Sequence, residues 1–422
     1  MAASVMLWLS AVASAQTPPA PAPQTAPPSR IPDSVKARET IANDSDTAAR
    51  IDNEPLDPTL KGFFLLPGTE TRLKVGGYIR LDVLHDFRPI GNPGEFIVSS
   101  IPIDVSGSED NTRLQAKQTR LNFEVRRPSD FKRRGDLRVL FEFDFFGSGG
   151  ERALNLRHAY GQIANILGGF TSSTIQDVDA KPDTLDHEGP AARVAVRHAQ
   201  LRYTVPFSRQ HSLAFAVEDP KSDVPGTTQS QTVTPRTPWP DIVVRYRLDA
   251  KRGHLQAGGV MRSIGGFLGT GDQSAQVKGG GLSVSGSFLV WRKNTIVFEA
   301  STGPGFARYI KDMADLGLDL SRDAQDRVRA TQATGGYFAY QHIWRPGWRS
   351  TFVVSGDWLE RVDTLPAETY RTARYLAANL LYRPAPGLTM GVEGAFGRYE
   401  VQDGRHNSAQ RLQISVQYDI VK

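Results

Sequence analysis

Residues 74–84 read KVGGYIRLDVL. Val75, Gly77, Ile79, Leu81 and Val83 fall on one side of this stretch, and Gly76, Tyr78, Arg80, Asp82 and Leu84 on the other. A two-residue period with one apolar and one polar face is the signature of a half-buried β-strand. The pattern recurs along the chain. In TRLNFEVR, Leu121, Phe123 and Val125 alternate with Arg120, Asn122, Glu124 and Arg126. In GDLRVLFEFDF, Leu137, Val139, Phe141, Phe143 and Phe145 alternate with Arg138, Leu140, Glu142 and Asp144. Near the end, Leu412, Ile414, Val416, Tyr418 and Ile420 oppose Arg411, Gln413, Ser415, Gln417 and Asp419. About sixteen such segments follow one another between positions 74 and 420, the summed signal of a transmembrane barrel. One of them, 153–164, shows no single phase.

The connections carry separate information. Short turns such as Asn165, Asp249–Lys251, Arg292–Lys293 and Arg345–Pro346 alternate with long loops at Arg88–Asn111, Ile175–Pro190, Asp219–Trp239 and Pro304–Arg327. Short turns at one rim and long loops at the other are expected of an outer-membrane barrel, and a soluble sandwich has no reason to alternate this way. The polar face carries Arg80, Arg120, Arg138, Arg202, Arg245, Arg247, Arg262 and Arg411 beside Asp82, Glu124, Glu142, Asp144, Glu299, Asp357 and Glu393. Packing those charges dry costs several kcal/mol for each imperfectly paired ion, on the order set by ionic desolvation. The polar face is therefore expected to line water and the apolar face to meet lipid. A barrel of about sixteen strands leaves an aqueous channel. Tyr203, Phe207, Trp291, Trp344, Trp348, Trp358 and Tyr382 lie near segment ends, where interfacial girdles form. The fold expected is an all-β, antiparallel transmembrane barrel in the bacterial outer membrane, with lipid around its wall.

Composition agrees. No run of 18 apolar residues occurs, so no transmembrane helix is expected. The 39 glycines fall largely within strand-like segments, where tilt and bulges use them. With no cysteine there is no disulfide framework, Cys-based zinc site or thiol nucleophile. A net charge of +5 over 422 residues is no argument for nucleic acid. Residues 1–15 are apolar and end Ala13-Ser14-Ala15, as a secretory signal peptide does. Residues 16–72 read as a Pro-rich linker and short periplasmic extension, and 73–422 as the barrel.

The loop IQDVDAKPDTLDHEGP, residues 175–190, holds Asp177, Asp179, Asp183, Asp186, His187 and Glu188 with little to bury. It follows the fifth segment at the long-loop rim and is expected to fold inward as a constriction. Its carboxylates either oppose a basic wall or act as local anchors, with Lys181-Pro182 fixing the bend. It lacks a Gly-centred calcium pattern, so no metal is expected, and no cofactor. The facing candidates are Arg80, Arg120 and Arg138 on three consecutive strands, with His198 and Arg202 on the strand leaving the loop. A guanidinium row attracts anions and grips carboxylates bidentately. The alternative is that each arginine only pairs within the wall. No Gly-x-Ser-x-Gly elbow, HExxH or P-loop is present, so no enzyme is expected.

PLDPTLKGFFLLPGTETRLKVGGYIRLDVLHDF, FDFFGSGGERALNLRHAYGQ, KPDTLDHEGP, STGPGFARYIKDMADLG and RYLAANLLYRPAPGLTMGVEGAFGRYE together resemble the DcaP-like outer-membrane porins. The resemblance covers roughly residues 55–420. It implies a trimeric, sixteen-stranded porin with a loop constricting the channel, passing small anionic solutes and dicarboxylates in particular. The short Pro-rich N-terminal extension departs from the family, as does Ile420 where an aromatic is expected. The other readings are an adhesion or structural barrel binding through its loops, and a porin for phosphate or sugars. A phosphate channel favours an uninterrupted basic ladder, whereas acids are interleaved here. A sugar channel favours an aromatic slide, and inward aromatics are few.

Overall fold

The structure is a computed structural model that describes residues 62–105, 107, 110–128, 137–148, 153–224, 227–228, 231–268, 274–291 and 293–420. The expected signal peptide, the linker and most of the extension lie outside the described residues. The chain forms a closed antiparallel barrel of sixteen strands. They are β1 (Arg72–Asp86), β2 (Asn111–Gln115 continued by Arg120–Arg127), β3 (Leu137–Asp144), β4 (Asn155–Ile163), β5 (Ile166–Ser172) and β6 (Arg197–Pro206). Next come β7 (His211–Glu218), β8 (Asp241–Ala250), β9 (Gly253–Leu268), β10 (Ser274–Val290) and β11 (Asn294–Pro304). The last are β12 (Gln332–Arg345), β13 (Trp348–Leu359), β14 (Tyr370–Ala385), β15 (Leu388–Val401) and β16 (His406–Asp419). Each strand pairs with its sequence neighbours, and β16 closes on β1 from Tyr78 opposite Asp419 to Asp86 opposite Arg411. Closure removes every sheet edge, which a bilayer requires because unpaired backbone groups have no water there.

The alternation read in 74–84 is the inside and outside of this wall. Tyr78, Arg80, Asp82 and Leu84 are buried, while Ile79 and Leu81 are exposed. Leu114, Met261 and Leu282 are at least 65% exposed on the outer surface, where lipid replaces water as solvent. Trp291, Trp344, Trp358, Tyr203 and Phe207 are exposed near strand ends. At one rim the strands turn tightly, as at Lys251-Arg252 and Pro346-Gly347. Gly347 has φ +80°, a conformation that disfavours a side chain. The opposite rim carries the long loops, here called L1 (87–110), L3 (173–196), L4 (219–240) and L6 (305–331).

The segment without a clear phase contains a β-bulge. Glu142 pairs with His158 and Phe143 with Leu156, so Arg157 is the extra residue. Arg157 and His158, adjacent in sequence, are consequently both buried toward the lumen.

The lumen is not lined by water alone. L1, L3 and L6 fold into it and share an apolar cluster. Phe96, Val98 and Ile101 come from L1, Ile175, Ala180 and Val194 from L3, and Phe306, Tyr309, Ile310 and Met313 from L6. Small wall residues make room for them. A Cβ on Gly397 would lie 3.1 Å from Phe96 and from Val98, and one on Gly281 would strike the Phe306 ring. These glycines are seats for loop side chains as well as points of strand flexibility.

The lumen as candidate functional site

L3 folds inward and runs around the inner wall as a belt, anchored strand by strand. Ser173 and the Thr174 amide donate to Glu218 of β7, which fixes where the belt leaves the wall. Asp177 accepts from His254 of β9 (2.8 Å), Ser285 of β10 (2.7 Å) and Arg247 of β8 (3.4 Å). Asp179 accepts from Arg247 at 2.5 Å. Tyr337 of β12 donates to the Ala180 carbonyl at 2.9 Å. Asp183 accepts from Arg349 of β13 (2.5 Å) and Gln341 of β12 (3.1 Å), and its carbonyl from Asn379 of β14 (2.7 Å). The amides of Leu185 and Asp186 donate to Glu393 of β15 at 2.8 and 2.7 Å. The Leu185 carbonyl accepts from Gln413 of β16 (3.0 Å), Arg80 of β1 (2.5 Å) and Gln118 (3.2 Å). His187 then stacks on Phe146 at 4.3 Å, 3.9 Å from Asp144 at the end of β3. The return leg docks Ala192 on Ser355 of β13 and Val194 on Glu299 of β11, and Val194 bridges Ile310 of L6.

The acidic residues of the loop are thus mostly anchors. Burial works against an ionised Asp177, but His254 and Arg247 outweigh it and hold that carboxyl well below the usual range. Asp186 has the opposite balance. It accepts from the amides of Phe96, Glu188 and Gly189 and from Tyr375. Burial and the neighbouring Glu393 raise it to about 7. Glu188 is buried, with Lys311 of L6 at 3.0 Å. L6 ties L1 in the same way, since Asp312 accepts the Ser99 amide at 3.0 and 3.2 Å and Tyr370 at 3.4 Å. Burial, opposed by the Ser99 bonds and reinforced by Glu188, puts Asp312 at about 7. Glu95 of L1 also reaches about 7, through burial and Glu188.

The basic wall differs from the row expected of Arg80, Arg120 and Arg138. Arg120 pairs with Glu142 at 3.4 Å and lies over the Tyr78 ring, which is opposite it in register. Arg80 is the next inward residue, bound to Asp82 at 2.8 Å and to the belt. Arg138 instead stands opposite Arg126, nearer the short turns, on Glu124 (2.9 Å) and over Tyr160. Arg157 takes its place beside Arg120, bonded to Glu142 (3.0 Å) and Asp144 (2.6 Å). The bulge puts it there, and adjacent basic residues in a strand without clear phase were its sequence signal. His198 and Arg202 brace loops. Arg308 of L6 meets His198 at 3.0 Å, and Arg202 donates to Thr174 and to the Ser172 carbonyl at 2.9 Å each.

These pieces meet around His187, which retains partial exposure in the lumen. Burial pushes its imidazole well below the ordinary range, and Arg157, Lys181, Arg120 and Lys311 push it further. Four cations around one belt residue form a positive stretch, moderated by Asp144 and by Glu95 at 4.0 Å. Lys181 and Lys311 had no part in the expected site, because neither lies in a strand.

A closed sixteen-stranded barrel, apolar outside and charged inside, with a loop belted into its lumen, defines the class of outer-membrane porin-type channels. Within that class the chain belongs to the DcaP outer membrane protein family, whose sequence profile matches residues 65–420. Among proteins of curated function, none matches the sequence. Solved structures share the fold. The outer membrane channel DcaP of Acinetobacter baumannii is 20% identical with a TM-score of 0.73, covering 85% of this chain and 99% of that one. An anion-selective porin from Comamonas acidovorans is 10% identical with a TM-score of 0.53 (83% and 100% covered). The trimer form of OmpT from Vibrio cholerae is 10% identical with a TM-score of 0.52 (83% and 99% covered).

Proposed function

We propose that this porin passes small anionic solutes, with dicarboxylates as the preferred class, and works as a homotrimer. The observation that carries the anion preference is the set of cations around His187 on the belt. Two of them, Arg120 and Arg157, are fixed to wall carboxylates, and a third, Lys311, is braced on Glu188. Arg120 and Arg157 are buried and act on an anionic solute through their field, while Lys181 and Lys311 are partly exposed and can offer ammonium donors to a carboxylate. The dicarboxylate and trimer readings rest on the family, and the anion-selective and trimeric neighbours share only the fold.

The test is the reversal potential of single channels in a salt gradient. A unit charge about 4 Å away in water is worth about 1 kcal/mol. Arg120→Ala or Arg157→Gln should therefore lower the anion-to-cation permeability ratio several-fold. An unchanged reversal potential in both variants sinks the anion reading. Liposome swelling with succinate against a sugar of similar size tests the solute class, and equal rates remove the dicarboxylate preference.

A further inference from the structure

Most lumen arginines are satisfied by carboxylates or carbonyls. Arg80, Arg138, Arg157, Arg247, Arg262 and Arg411 each have an ion pair at 3.2 Å or shorter. The outer wall holds arginines of another kind. Arg374 of β14 and Arg398 of β15 are direct cross-strand partners. Their inward neighbours, Tyr375 and Ala373 against Gly397 and Tyr399, face the lumen, so both guanidiniums are on the lipid side. Arg398 is in turn opposite Ser408 of β16, and the Arg88 guanidinium, just past the end of β1, reaches the Ser408 hydroxyl at 3.5 Å. Among the described residues, none of these three has a carboxylate within 4.0 Å. Like charges directly opposite on a sheet are destabilising unless something between them is negative. Glu400 is the acid nearest along the strand, two residues from Arg398, and it forms no ion pair with either arginine.

The location restricts what that negative group is. Arg398 is three residues from the end of β15 at the long-loop rim, about 10 Å of extended chain. Trp358 is exposed on the adjacent strand, opposite Thr372, one outward position from Arg374. An interfacial tryptophan marks headgroup depth, and arginine on a lipid-facing wall costs little only near that depth. Arginine's planar fork matches phosphate bidentately. We propose that Arg374, Arg398 and Arg88 form an outer-wall site for the phosphate of a phosphorylated glycolipid headgroup in the outer leaflet. The lipid supplies the missing anion between the paired guanidiniums and fixes the depth and rotation of this side of the barrel.

The experiment uses protein extracted from outer membranes in mild detergent, with co-purifying phosphorylated glycolipid quantified by native mass spectrometry. Losing two charge-assisted contacts in Arg374→Gln/Arg398→Gln should reduce retained glycolipid at least about tenfold. Lys278→Gln, which removes a lone outward lysine on β10, should leave it unchanged. Arg374→Lys/Arg398→Lys, which keeps both charges but not the bidentate fork, should retain an amount between wild type and the glutamine variant. Heat-modifiable gel mobility and unchanged conductance establish that the variants are folded. If the double variant does not accumulate, Arg88→Gln, which lies outside the strands, carries the test with an expected loss of about threefold from one weaker contact. Equal retention by wild type and the glutamine variants overturns the proposal, as does equal binding of enzymatically dephosphorylated glycolipid. So does a loss of oligomer with lipid unchanged, which would make the arginines a subunit contact.

Discussion

Asp312 offers the sharpest test of how the loops are held. It is buried, accepts the Ser99 amide through both oxygens, and faces Tyr370 of β14, Tyr399 of β15, Asp357 of β13 and Glu188 of L3. Burial disfavours its ionised form and the Glu188 charge adds to that, outweighing the Ser99 bonds, so its folded pKa is raised to about 7. A carboxyl whose pKa is raised on docking binds its proton more tightly in the docked state. Docking is then favoured while the proton is held, and that stability drains away as pH rises toward and through about 7. Between pH 6 and pH 8 one group with this pKa loses about 1.4 kcal/mol, a factor of about ten in the local opening equilibrium. Hydrogen exchange read by mass spectrometry on a peptide spanning residues 96–101 reports that opening. After correction for intrinsic rates, wild-type protection should fall with rising pH. Asp312→Asn keeps an acceptor for Ser99 and removes the titration, so it should lose about tenfold of that fall. Asp186 and Glu95, also near 7, account for what remains. Protection that is flat or rising from pH 6 to pH 8, or an unaltered slope in Asp312→Asn, refutes the reasoning.

Other perturbations separate belt from wall. Gly397→Leu places a side chain where Phe96, Val98 and Ile101 already sit. Overpacking of about 1–3 kcal/mol should dislodge L1 and raise channel conductance and current noise, with heat-modifiable mobility preserved. Phe96→Ala should act in the same direction, costing roughly 3–5 kcal/mol of loop docking, read as accelerated exchange across L1 with the strand amides unaffected. His254→Ala removes one partner of buried Asp177 and leaves Arg247 and Ser285, so a penalty of about 2–3 kcal/mol is expected, below the full cost of an orphaned charge. Proteolysis within 175–190 should become detectable in that variant and remain undetectable in wild type.

How much of this was legible in the sequence depended on what kind of partner each residue had. Residues 74–84 and 119–126 alternate cleanly because one face meets lipid and the other meets charge, and that contrast is written locally. The inward fold of residues 175–190 was expected from its place after the fifth strand, but an outward loop would carry the same composition, so the sequence alone did not decide it. Its anchors were not legible. Asp183 finds Arg349, and Leu185 and Asp186 find Glu393, across more than 160 residues of sequence. Arg157 was hidden by the bulge, since a strict period assigns it to lipid. The apolar cluster in the lumen was also hidden. In RYLAANLLYR both faces are largely apolar, so Tyr375, Ala377 and Leu381 give no sign of pointing inward.

A hollow cylinder of hydrogen-bonded strands resists stretching along its circumference far better than it resists being squashed. Strand-to-strand bonds act around the wall, and nothing in them opposes a round section becoming an oval one. L3 adds what they lack. Its contacts with Arg247, Tyr337, Arg349, Glu393 and Arg80 pull on widely separated points of the wall toward a common interior, like spokes. The same segment that narrows the passage thus sets the roundness of the wall, so cutting it would soften the whole tube to lateral pressure as well as widen its bore.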